Sequence, residues 1–414
     1  MNKKIEVRTD QTFGINGLLS GLPVQANWDC NVLRTMLTIG YLTAPPRYRG
    51  FNLSTFWAWI RYAAAISTRN PNLGLRRVWS EIDPHQKTIL ADDFGIGFPC
   101  QYLIDYHGFE DFADTSFLLE TLLAGVVSHA NRARRGPSKT PDYIAVDSKG
   151  HLHILECKGT QTSRAYLMEA LEKGIAQKNN LSNGTIFRSC MVGGLYVPQW
   201  NSEESAELVF IDPELNEDLK ELSKIDSATI ARAIRRQSFS KALAAAGLWS
   251  TATAIYEGRT NPDNIDFVRK LDTGEVLFAG FDKSSSDKWN RTIEYRSLET
   301  DTKFGEGEEA FKSRLSITLT NELIEFLKET TSSNGILPAT EVDSWIEKRV
   351  LATRNLHQRE LLVRESGNKS YTTRRSTVSS TWNETTSAPD ASTQFAAVTT
   401  FAGIQFALDR TAFI

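Results

Sequence analysis

Asp142, Glu156 and Lys158 are the residues of this chain whose types and spacing could do chemistry. They lie in TPDYIAVDSKGHLHILECKG, residues 140–159, where two apolar runs are joined by Asp147-Ser148-Lys149-Gly150. A three-residue hairpin loop ending in glycine suits a type I turn followed by a left-handed glycine. With Ser148–Gly150 as the loop, Asp147 pairs with His151 and, counting outward, Asp142 pairs with Glu156. Residues two apart share a face. One face then holds Asp142, Ile144, Val146, Leu152, Ile154, Glu156 and Lys158, and the other holds Tyr143, Ala145, His151, His153, Leu155 and Cys157. A one-residue slip would part the two carboxylates. Carboxylates brought to one point repel each other unless a cation lies between them. Mg²⁺ takes hard oxygen ligands, one or two carboxylates plus water and phosphate oxygens. A lysine two residues along can neutralise developing charge or orient an attacking water. The backbone carbonyl of Cys157 is a further candidate ligand.

The neighbouring segments must position these groups. DFADTSFLLETLLAGVVSHANRAR, residues 111–134, reads as one helix. Its spacing puts Ala113, Phe117, Glu120, Ala124 and Val127 on one stripe, so Glu120 is expected as a third carboxylate in an apolar face. After the hairpin, residues 163–181 read as a second helix. Its stripe of Ala170, Lys173, Gly174, Gln177 and Leu181 would let Lys173 and Gln177 reach a phosphate or a water, with Gly174 permitting close approach. SCMVGGLYVP and AELVFID read as two further strands. Helix, hairpin, helix, strand and strand make one three-layer α/β unit over residues 109–215, a mixed sheet sandwiched by helices.

Pro141-Asp142, a hairpin, then Glu156-Cys157-Lys158-Gly159 resembles the PD-(D/E)xK nuclease superfamily, the restriction-endonuclease-like fold. The resemblance covers about residues 110–212. It implies a Mg²⁺- or Mn²⁺-dependent hydrolysis of phosphodiesters, DNA more often than RNA, that leaves a 5′-phosphate. It also implies Asp142 and Glu156 as metal ligands, Lys158 as the catalytic lysine, Glu120 as the acidic residue of the first helix and Gln177 as the polar residue of the following one. The family usually has a strand between that first helix and the Pro-Asp strand, and a helix over 111–134 leaves only RRGPSKT for it. A nuclease core with flanking regions resembles bacterial restriction or anti-phage effectors. Such proteins work as homodimers or with a sensor or ATPase subunit. The alternative is a catalytically inactive module of the same fold that binds nucleic acid or a protein.

Composition narrows the setting. At 414 residues the chain calls for two or three domains, expected as an N-terminal region 1–108, the core 109–215 and a C-terminal region 216–414. Hydrophobic and charged residues make up 41% and 23%, as in ordinary soluble proteins. No apolar run approaches the roughly 18 residues of a membrane span. The start MNKKIEVRTD lacks an apolar signal core. Four scattered cysteines with no CxxC pair argue against a zinc ribbon or a disulfide framework and fit a reducing cytoplasm. A net charge of −3 confines any nucleic-acid surface to local patches. Arg132, Arg134, Arg135 and Lys139 beside the site could grip phosphates. Arg232, Arg235, Arg236 and Lys241 form a second basic run that reads foremost as a solvated helix face. His151 and His153 share a strand face but read as structural. The tract DPHQKTILADDFGIGFPC, 83–100, reads as a loop plus a short strand, with Asp92 and Asp93 in an ordinary turn.

Overall fold

A computed structural model describes residues 1–9, 25–44, 62–67, 70–121, 140–178, 186–211, 227–257, 266–269, 276–278, 280–283, 289–301, 306–332, 339–366 and 393–413. The chain divides into two compact units. One holds Met1–Leu42 and Arg61–Ser238, and the other Thr43–Ile60 and Phe239–Ile414. The residues before 109 therefore do not form a region of their own, contrary to the division expected from sequence.

The first unit is built on a seven-stranded mixed sheet. Its strands are β1 (Asn2–Thr9), β2 (Gln25–Asn31), β3 (Phe109–Asp114), β4 (Tyr143–Asp147), β5 (Leu152–Thr160), β6 (Phe187–Tyr196) and β7 (Glu207–Ile211). The order across the sheet is β2-β1-β7-β6-β5-β4-β3. The pairs β1/β7 and β5/β6 are parallel and the rest antiparallel.

Helices cover both faces. On one side lie α1 (Val32–Leu42) and α3 (Pro84–His107), preceded by the short α2 (Arg77–Ser80). Trp28, Phe94, Phe98 and Tyr102 pack there edge to edge. On the other lie α4 (Thr115–Thr121), α5 (Arg164–Lys178) and the first part of α6 (Ser227–Ala246). Leu118, Leu119, Ile230 and Ile234 close over Ile144, Val146, Leu152 and Ile154. Leu167 and Leu171 of α5 close over Val192, Val209 and Ile211. The three-layer α/β expectation is met.

Two local readings are corrected. Residues 83–100 are not a loop and strand but the body of α3. Asp83 caps it, accepting from the His85 N–H at 2.8 Å, with Pro84 at the first helical position. Its glycines mark packing rather than turns. A Cβ on Gly95 would lie 2.4 Å from the Gly159 nitrogen, and one on Gly97 would lie 2.0 Å from Ile39 Cγ1. Residues 111–134 do not form one helix either. Phe109–Asp114 is strand β3, paired with β4, and the helix starts at Thr115. Beyond Thr121 the stretch lies outside the described residues. The strand over FEDFAD, buried at Phe109, Asp111, Phe112 and Ala113, was masked in the sequence by its continuity with an apolar helical run.

The β4–β5 hairpin has the register expected. Tyr143 pairs with Leu155, Ile144 with Ile154, Ala145 with His153 and Val146 with Leu152. Gly150 takes φ +84° and donates to the Asp147 carbonyl at 3.0 Å. The Asp147 carboxylate accepts from the backbone N–H groups of Lys149 and His151. Burial pushes this carboxyl up, but the hydrogen bonds and the imidazoles of His153 and His151 win and hold it well below the usual range. His153 is buried, with Nδ1 2.7 Å from Ser189 Oγ, and the exposed His151 has its Nδ1 3.0 Å from Asp147 Oδ2, so both engage the turn and sheet of the hairpin.

The second unit carries the C-terminal part of α6, α7 (Trp249–Glu257) and a two-stranded pair, β8 (Phe267–Arg269) with β9 (Val276–Phe278). Its antiparallel five-stranded sheet runs β10-β11-β12-β14-β13, formed by Asp282–Lys283, Trp289–Asp301, Glu306–Leu319, Ile404–Phe413 and Thr393–Thr399. Helices α8 (Asn321–Ser332) and α9 (Ala339–Ser366) meet where Phe326 stacks on Trp345 at 4.1 Å between ring centroids. Among the described residues no helix is long and apolar enough to cross a membrane.

Candidate active site

The site grows from the hairpin register. Extending the β4–β5 pairing by one residue sets Asp142 across from Glu156. Asp142 Oδ2 accepts from the Cys157 N–H at 2.8 Å, which ties the two strands together. Glu156 lies wholly inside the protein. Its Oε1 accepts from Lys158 Nζ, and its Oε2 is sealed from solvent without a hydrogen-bond partner. The Lys158 side chain is 22% exposed, so the ammonium is the end of the pair that opens to solvent.

Burial and the charge of Asp142 push the Glu156 carboxyl far above the ordinary range, against the pull of Lys158. Burial likewise raises Asp142, opposed by the Cys157 N–H and by Lys158. Two carboxyl groups pushed toward protonation by burial, one of them raised further by the charge of the other, are the kind of pair that a cation would relieve.

The space over the pair is set by α5. A Cβ on Gly174 would stand 2.7 Å from Val192 Cγ1, 3.2 Å from Glu156 Cγ and 3.4 Å from Lys158 Cε. Only a glycine brings the helix this close, as its place in the sequence suggested. Lys173, next to it, is exposed. Gln177 lies in the last turn of α5, and its side chain lies outside the described residues.

Glu120 is a correction. It is exposed on α4 and is not among the charges that bear on Asp142. The helical stripe that seemed to bury it began at Ala113, which is in β3, so its phase was wrong. The acidic groups whose charge raises Asp142 are Asp114 at the end of β3 and Asp92 on α3, and Asp142 in turn raises Glu156. Asp92 is an exposed residue, but partial burial of its carboxyl raises it above the ordinary range, and the Lys158 charge opposes that rise only in part. Its neighbour Asp93 is engaged by the Tyr62 hydroxyl. From the sequence Asp92 reads as part of a turn, whereas the structure sets it on α3. The Asp83-Pro84 cap, followed 24 residues on by Gly108, was the signal that placed it on a helix.

The basic clusters fare differently. Arg132, Arg134, Arg135 and Lys139 lie outside the described residues. The run on α6 is not one solvated face. Arg235 is buried and lies 3.7 Å from Glu110 and 3.9 Å from Asp111, and Lys241 is fully buried. All four cysteines are free and buried. Cys157 faces Cys100, and burial raises its thiol well above the ordinary range, so it is a poor nucleophile.

Among the described residues no three His, Cys, Asp or Glu side chains converge as a ready-made metal cluster. The donor set nevertheless suits a hard dication of the Mg²⁺ type, which needs one or two carboxylates and completes its shell from water and substrate. The orphaned Glu156 Oε2 is the atom such an ion would satisfy. No protein-family model, no curated protein and no solved structure matches this chain.

Proposed function

We propose that this chain is a Mg²⁺- or Mn²⁺-dependent nuclease of the PD-(D/E)xK type, acting on DNA ahead of RNA. The observation that carries the reading is the pairing of Asp142 and Glu156 across one hairpin, with Lys158 on the Glu156 carboxylate. The element order supports it. A strand, β3, stands between helix α3 and the Pro-Asp strand, as the superfamily usually has it, so α3 takes the place of the first helix and Asp92 that of its acidic residue.

Asp142 and Glu156 would hold the ion, with the Cys157 carbonyl as a further oxygen and Asp92 as an outer acid. The ion, once bound, would supply positive charge against the phosphate and acidify a water. Lys158 would then donate its N–H groups to that water or to a non-bridging phosphate oxygen. Lys173 stands exposed on the adjoining turn of α5, where an approaching backbone phosphate would meet it. Water adds to phosphorus and the 3′ oxygen leaves, so the products are a 5′-phosphate and a 3′-hydroxyl. In a cell such an activity fits restriction of foreign DNA.

The test is cleavage of supercoiled plasmid, linear duplex, single-stranded DNA and RNA in Mg²⁺, Mn²⁺ or EDTA. Wild type is expected to cut in either metal and to stop in EDTA. Lys158→Ala should lower the rate by roughly 10²- to 10³-fold, the usual loss of a charge-stabilising donor. Equal cutting by wild type and Lys158→Ala would overturn the reading.

A smaller effect is expected at Asp92. Asp92→Asn should raise the Mn²⁺ concentration needed for half-maximal rate by about 10- to 100-fold, as outer-shell losses do. Glu120→Gln should leave it unchanged. A titration of rate against Mn²⁺ for the two variants separates them.

A further inference from the structure

A rigid aromatic corner stands beyond the same end of the sheet. β5 and β6 run parallel, and ligands of α/β sheets bind outside the carboxyl ends of such strands. Lys158 is near that end of β5. Thr160, two residues on and so roughly 7 Å further, accepts from the Val197 N–H at 3.0 Å just past β6. The chain then turns through Gln199–Ser202, closed by the Ser202 N–H on the Gln199 carbonyl at 3.0 Å, with Trp200 at its tip. Trp200 is 45% exposed, and the guanidinium carbon of Arg77 lies 4.7 Å from its ring centroid.

This turn is held from three sides. The Leu75 N–H donates to the Pro198 carbonyl at 3.0 Å, which fixes the segment leading to α2 and Arg77. Gln199 Nε2 donates to Gln161 Oε1 at 3.0 Å, and Gln161 is the first residue after β5. Gln161 Nε2 in turn donates to the Lys87 carbonyl of α3 at 2.8 Å. Gln199 and the buried Gln161 thus tie the turn that carries Trp200 to the strand that carries Lys158 and to the helix that carries Asp92. A lone exposed tryptophan needs no explanation. One on a hydrogen-bonded turn, under a cationic plane and beyond the strand end next to the proposed phosphodiester site, has the parts that single-stranded nucleic acid requires. Those parts are a π-surface for a base and a positive charge for the adjoining phosphate.

We propose that Trp200 and Arg77 form a stacking platform for one unpaired base of the strand entering the site. The proposal rests on the nuclease reading for the identity of its ligand, and it makes single-stranded or frayed nucleic acid the preferred substrate.

The test is fluorescence-polarisation binding of two single-stranded DNA 12-mers of equal charge, one of mixed sequence and one wholly abasic. The full chain is used in a Lys158→Ala background so that neither strand is cut. The mixed-sequence strand is expected to bind more tightly. Trp200→Ala should weaken it by about 5- to 100-fold while changing the abasic strand by less than about 2-fold, as loss of one base stack does. Trp200→Phe, which keeps a ring, should fall between, and Arg77→Ala should weaken the mixed-sequence strand more than the abasic one. The same affinity for both strands, no measurable binding of either, or an equal loss on both in Trp200→Ala would overturn the platform. Metal-dependent cutting by the wild type is scored separately, so the platform can fail while the nuclease reading stands.

Discussion

Glu156→Gln is expected to give a protein that melts higher than wild type and cuts nothing. The buried carboxylate faces the charge of Asp142, and one of its oxygens has no hydrogen-bond partner. Its carboxyl therefore stays protonated in the folded chain at a pH where it would ionise in the unfolded one. A carboxyl raised on folding costs nothing below its unfolded value of ~4.3, and it destabilises progressively as pH rises above that value. Metal-free wild type should thus lose stability between about pH 5 and pH 8, and the glutamine variant should lose less. At pH 5 the two should melt nearly together. At pH 8 the variant should melt roughly 3–8 °C higher, the shift that about 1–3 kcal/mol of relieved burial produces in a unit of this size.

Mn²⁺ should reverse the ranking. It binds the wild-type pair and raises its melting temperature by mass action, and it should leave the variant where it was. Activity should fall by ~10³-fold or more, since the ion's several kcal/mol of charge stabilisation goes with its ligand. Differential scanning fluorimetry at pH 5 and pH 8, with and without Mn²⁺, reads all of this. A variant that melts lower than wild type at pH 8 without metal would mean that Glu156 is a stabilising member of an ion pair rather than a strained ligand.

The second large effect is expected at Gly159. A Cβ there would stand 1.7 Å from the Ala91 carbonyl oxygen and 3.0 Å from the Gly95 Cα. Both obstacles belong to α3, which cannot yield by turning a side chain. Gly159→Ala must push helix and strand apart, and overpacking of that kind costs about 1–3 kcal/mol and sometimes more. The displaced strand residue adjoins Lys158, so the lysine moves with it. A misplacement of ~1 Å can cost 10²-fold in rate, and Gly159→Ala should lose at least that much even at temperatures where it is folded. Gly150→Ala, at the far end of the hairpin, is the contrasting case. Nothing stands within 4 Å of its added methyl, and only its φ of +84° is strained. Urea titration and rate measurement on the two variants should show activity lost in the first and largely kept in the second.

What the sequence made legible follows from the range of the interactions involved. The hairpin register was readable because a glycine loop and period-2 alternation are local, and Asp142 opposite Glu156 came with it. The place of Gly174 was readable from helical spacing. Asp92 was not, because its helix was hidden by Gly95 and Gly97. These suit a turn by local chemistry, and they serve here to let α3 touch β5 and α1. Those contacts, Gly95 with Gly159 and Gly97 with Ile39, join residues far apart in the chain and leave no local trace. Strand β3 was hidden for a related reason. FEDFAD leads straight into a helix at Thr115 with no turn residue between them, so the two periods run together. The corner around Trp200 depends on Leu75, Lys87 and Gln161, each brought by a different element.

The place of β1 in the sheet also bears on when the site can exist. Glu6 lies opposite Glu207, and Thr9 opposite Phe210. The strand of this sheet that comes earliest in the sequence is therefore the neighbour of the one that comes last. At synthesis rates of ~5–20 residues per second, β1 waits about 10–40 s for its partner. Pairing so distant in sequence is slow to form in any case. A nascent chain released or halted before Ile211 carries the hairpin with Asp142, Glu156 and Lys158 but not the finished sheet behind it. Assembly of the corner that holds Asp142, Glu156 and Lys158 is thereby deferred until β7 has been made, so the proposed activity would await the finished sheet.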